Sequence, residues 1–139
     1  MTALTAGRNT PELAGQVHSL QVGSAAKILA GALVCLNATG YAVKGATATT
    51  LKSFGRAEET VDNSGGGDGA LSIKVKVGIF GFLNSTSTDA ITIADIKSDC
   101  YVVDDQTVAK TDGSASRSKA GRVVAVQDGL VFVQLGPQF

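Results

Sequence analysis

The stretch from Leu71 to Leu83 (LSIKVKVGIFGFL) constrains the fold more than any other. Leu71, Ile73, Val75 and Val77 alternate with Ser72, Lys74 and Lys76, the period of a strand with one buried and one wet face. Beyond Gly78 the alternation stops, and Ile79, Phe80, Phe82 and Leu83 are apolar in both phases. One strand is therefore expected to run from a half-solvated end, carrying Lys74 and Lys76, into an end covered on both faces. One face belongs to the domain's own core; the other needs a second layer or another subunit. Ile79, Phe80, Phe82 and Leu83 are accordingly the candidate subunit interface. The feature points to binding or assembly before catalysis.

The remainder of the chain reads as short strands separated by turns. Leu33–Leu36 and Tyr41–Val43 flank Asn37–Gly40, where Asn and Gly accept the positive φ that tight turns need. Leu51–Ala57 forms a further strand around Phe54. Tyr101–Val103 and Thr107–Ala109 flank Asp104-Asp105-Gln106. Gly121–Val126 and Leu130–Leu135 are joined by Gln127-Asp128-Gly129, and Asp-Gly between apolar runs is a strong hairpin signal. Ala90–Ser98 has room for one helical turn capped by Thr92. Seventeen glycines, many Ser and Thr, and only 5% aromatic residues suit this pattern. At 139 residues the chain is one domain, expected to bury roughly two-thirds of its unfolded surface. The expected fold is all-β, a small barrel or sandwich of about eight short strands with at most one short helix. Residues 26–139 form the β domain. Residues 1–25 form an extended arm, polar through Val22, that orders only against a partner's surface.

Twelve basic and twelve acidic residues cancel, and no basic block stands out, so nucleic acid has no electrostatic footprint. No run approaches the roughly 18 apolar residues of a membrane-crossing helix. No charged-then-apolar leader opens the chain, so a soluble protein made in a cytoplasm is expected. Cys35 and Cys100 sit among apolar neighbours and are expected as buried reduced thiols, with a disulfide as the alternative.

No motif supplies catalysis or a cofactor. Ser64-Gly65-Gly66-Gly67-Asp68-Gly69 precedes a strand and lacks the Lys-Ser/Thr of a phosphate loop, so it is read as a flexible hairpin tip. Asp95, Asp99, Asp104, Asp105 and Asp112 do not have calcium-loop spacing and are read as turn residues. His18, the single histidine, has no metal-ligating neighbour in sequence and lies in the arm. The chain is not expected to be an enzyme.

The order of several segments along the chain resembles the small capsid cement (decoration) proteins of tailed bacteriophages, Mu-like and related phages. These segments are Arg8-Asn9-Thr10-Pro11-Glu12, Lys27–Val34 with Asn37–Ala42, Ala57–Asn63, Cys100–Ala109 and Gly121–Val124. The resemblance implies a β-rich protein on the outer surface of the virion capsid, commonly a homotrimer at threefold and quasi-threefold positions. Its partners would be the major capsid protein and itself, with no nucleic acid, membrane or cofactor. Arg8, Asn9, Thr10, Pro11, Glu12 and His18 are the candidate capsid-contacting residues of the arm. Two alternatives remain: another virion component, such as a head-fibre base or tail-tube-like subunit, and a carbohydrate- or small-ligand-binding β domain.

Overall fold

The computed structural model describes residues 3, 5–8 and 16–136. Among these the chain is all-β, with only two single 3₁₀ turns, Ser87–Asp89 and Ile93–Asp95. One sheet contains β1 (Val17–Gln21), β3 (Leu33–Leu36), β4 (Ala42–Lys44), β5 (Lys52–Ala57) and β7 (Ser72–Lys76), in the order β1-β7-β5-β3-β4. A parallel bridge between Val22 and Ala42 draws the two edges of this sheet together. The other half is a closed barrel in the order β10-β8-β12-β11-β9, formed by β8 (Gly78–Asn84), β9 (Asp99–Val102), β10 (Thr107–Ala109), β11 (Lys119–Gln127) and β12 (Leu130–Leu135). A two-residue ladder, β2 (Lys27–Ile28) with β6 (Val61–Asp62), sits beside the first sheet.

Local chemistry accounts for the turns. Asn37 Oδ1 accepts from the backbone N–H groups of Thr39 and Tyr41, both at 3.0 Å, and closes the β3–β4 hairpin. Asp128 and Gly129 both take positive φ, 55° and 76°, and join β11 to β12 as the Asp-Gly pair predicts. Thr92 caps the second 3₁₀ turn in a reciprocal box with Asp95.

Two cores result, and β3 stands between them. Leu33 and Cys35 pack into the barrel core with Phe82, Cys100, Val102, Val108, Val123, Val131, Val133 and Leu135. Val34, the intervening residue, packs into the other core with Val22, Ile28, Phe54, Ile73 and Val75. Polar stitches close the same junction: Leu33 N–H donates to Asp105 O at 2.8 Å, and Leu51 N–H to the Ser118 hydroxyl at 3.1 Å.

The expected arm is shorter than 25 residues. Val17–Gln21 is a full strand paired in register with β7, from Val17 opposite Lys76 to Gln21 opposite Ser72, and Val22 is fully buried. Its partner strand comes from this chain, so residues 17–22 need no foreign surface to order.

Candidate assembly surface

Leu71–Leu83 is not one strand. β7 ends at Lys76 in the first sheet, and β8 begins at Gly78 in the barrel. Gly78 has φ of +149°, a conformation that side-chain-bearing residues rarely adopt, and there the chain passes from one sheet to the other. β7 keeps the expected alternation, with Ile73 and Val75 buried and Lys74 exposed.

Along β8 the two phases separate. Phe82 is 4% exposed inside the barrel core. Phe80 is half-buried against the same core, with the Arg56 guanidinium 4.3 Å from its ring centroid and Arg56 in turn paired with Glu58 at 2.6 Å. Phe82, expected at a subunit contact, belongs instead to the chain's own interior, and Phe80 packs partly against the same core: β8 is one wall of a closed barrel, and their phase points inward. The opposite phase does face out. Ile79 is 52% and Leu83 44% exposed.

β12 extends this outer face. Leu130 pairs with Leu83, Phe132 with Gly81 and Gln134 with Ile79. Gly81 is in strand conformation, and a Cβ there would lie 3.2 Å from the Phe132 ring and from Leu130 Cδ1. The missing side chain lets Phe132 and Leu130 lean across β8. Ile79, Leu83, Leu130 and Phe132 thus form an apolar ridge on the outside of the barrel. Leu130 and Phe132 are absent from the sequence-based interface, although Leu130-Val131-Phe132-Val133 carries the same doubly apolar signal.

The flanks of the ridge differ in charge. Beyond β8 lies the Asp104-Asp105-Gln106 turn, whose Gln106 O accepts from Leu83 N–H at 2.8 Å. Beyond β12 lies β11, where Arg122 pairs with Gln134. There Arg122 and Lys97 border an open cleft with Ile96, Val124 and Gln134. Lys97 is anchored by a 2.7 Å bond from its N–H to Val123 O.

The arm residues fare differently. Arg8 is exposed, whereas Asn9, Thr10, Pro11 and Glu12 lie outside the described residues. His18 lies in β1 and not in an arm, half-buried with its ring edge-to-face with Phe54 at 5.3 Å within this fold. The glycine-rich segment is not a flexible hairpin tip, because β6 pairs with β2 and not with β7. Buried Asn63 staples it, donating from Nδ2 to Gly23 O at 2.9 Å and Gly67 O at 3.0 Å, while Asp68 accepts from Ser24 N–H at 2.7 Å. Asp104 serves its turn as expected, accepting from Gln106 N–H at 2.9 Å, whereas Asp99, expected in a turn, lies in β9 and faces Lys119 at 3.0 Å. Hydrogen bonds from the Ser64 hydroxyl and N–H hold the Asp62 carboxyl below its ordinary range. Cys35 and Cys100 are free and buried, and burial pushes both thiols up to about 12.

Compared with family models, curated proteins and solved structures, the chain matches none.

Proposed function

We propose that this chain is a structural capsid decoration protein, binding the outside of an expanded phage head and bridging major capsid subunits across capsomer seams. The observation that carries the reading is the outer ridge of exposed Ile79 and Leu83 with half-buried Leu130 and Phe132 beside them, on an otherwise closed, well-filled barrel. Apolar side chains held in regular strand geometry are worth about 25 cal/mol per Å² once covered, before ordering costs. The segments resembling cement proteins support the same reading.

In mechanism, the protein self-associates, as a homotrimer, by burying the ridge. The segment before β1, including Arg8, grips the shell. Pressurised DNA pushes the shell outward, and a closed oligomer touching several capsid subunits converts weak single contacts into one avid attachment. Because residues 17–22 belong to the folded domain, the clamp is confined to residues 1–16.

Purified protein added to undecorated expanded heads is expected to give density over threefold and quasi-threefold positions by electron microscopy. No density on expanded heads would refute the reading. Rings or fibres formed by the protein alone would favour the other virion component. A version lacking residues 2–16 should remain folded and self-associated yet coat heads poorly; undiminished coating would remove the arm from the mechanism.

A further inference from the structure

The ridge is apolar along its crest and oppositely charged on its two sides. On the β10 side lies the turn of Asp104 and Asp105, tied to Leu83 through Gln106 O, with Asp105 also bordering a cleft with Leu29 and Ala32. Neither aspartate enters an ion pair among the described residues. On the β11 side stand Lys97, also without such a pair, and Arg122, whose side chain is 69% exposed and only 3.9 Å from Asp99 at its Nε. Asp99, the acid nearest this side, is held more closely by Lys119 at 3.0 Å, while Asp95 faces Lys110 at 3.8 Å. The basic side therefore keeps a surplus of positive charge.

This arrangement is self-complementary under one kind of symmetry. Rotation about an axis parallel to the strands carries the acidic side of one copy towards the basic side of the next, whatever the number of copies. Rotation about an in-plane axis across the strands would instead set acid against acid and base against base.

We infer that the ridge is the seam between copies of this chain, arranged about an axis running along β8 and β12, with Asp104 and Asp105 of one copy facing Lys97 and Arg122 of the next. The inference rests on the decoration reading only in taking self-association from it. The crest supplies burial, and the charged sides set direction and exclude the reversed docking, as rim charges do at other interfaces. With three or more copies such a contact is heterologous, acid side to base side, and closes into a ring.

Charge reversal with reciprocal rescue tests this on the full chain. Asp105→Lys alone and Arg122→Asp alone should each weaken self-association about tenfold or more by sedimentation or light scattering. The double variant Asp105→Lys/Arg122→Asp should recover most of the loss, since every contact again pairs opposite charges. Lys97→Glu combined with Asp105→Lys gives the same test should Arg122→Asp melt early, and thermal unfolding identifies that case. Single variants that associate like the wild type, a double variant no better than the singles, or a monomeric wild type would each overturn the inference. Head binding is read separately. Rescue without head binding would leave the seam intact and sink the decoration reading, whereas head binding without rescue would do the reverse.

Discussion

β3 and β8 pose the same problem to the chain and solve it differently. Leu33-Val34-Cys35-Leu36 and Ile79–Leu83 are both apolar in both phases. In β3 the two phases enter two cores of one molecule, Leu33 and Cys35 on the barrel side and Val34 on the other. In β8 only Phe80 and Phe82 find such cover, and Ile79 and Leu83 stay at the surface. A doubly apolar strand therefore requires two covering layers, but the chain need not supply both. The strand in the middle of the fold is covered on both faces by the chain itself; the one in the barrel wall leaves one apolar phase at the surface.

The largest effects should come from the covered phases. Phe82→Ala is expected to cost about 3–5 kcal/mol of folding stability, as large buried aromatics do, measured by denaturant unfolding. A loss confined to self-association, with unfolding unchanged, would return Phe82 to the seam. Leu33→Ala should cost about 2–5 kcal/mol, and Val34→Ala a smaller amount from the opposite core. If only one of the two destabilised the fold, β3 would not be packed on both faces.

Cys35 sharpens the same point through pH. Burial raises its thiol, with that of Cys100, from 9.0 to about 12. Below about pH 9 both folded and unfolded chains hold neutral thiols, and the contribution to stability is whole. As pH rises from there towards 12 the unfolded chain loses these protons first, so stability falls. Denaturant midpoints across this window should drop less steeply for Cys35→Ala than for the wild type. Equal slopes would contradict burial of the thiol. The smallest change in folding is expected at the open phase. Ile79→Ser and Leu83→Ser should shift monomer stability by no more than about 0.5 kcal/mol, the range of surface substitutions, while weakening self-association. Early melting of these variants would mean the face is already covered within the chain.

Much of this was legible where the signal is local. Alternation from Ser72 to Lys76, the Asp128-Gly129 turn, the Asn37 hairpin and the Thr92 cap are written in neighbouring residues. The misread parts depend on distant partners. Val17–Gln21 looks polar, and only pairing with Lys76–Ser72 makes it a strand. The glycine-rich segment is ordered by Asn63 reaching Gly23, a contact that no spacing encodes. Within the candidate surface, the doubly apolar pattern of β8 marked a strand that keeps apolar residues at the surface but could not separate its phases. That separation follows from barrel closure, which turns Phe80 and Phe82 inward and leaves Ile79 and Leu83 outside.

The most direct test of the central claim is thiol labelling at the outer phase of β8. In a Leu83→Cys variant, the introduced thiol is the accessible one, because Cys35 and Cys100 are buried. It should react readily at dilutions where the protein is monomeric and become protected as the oligomer forms. Equal labelling in monomer and oligomer would show that the ridge stays open, and that the seam lies elsewhere.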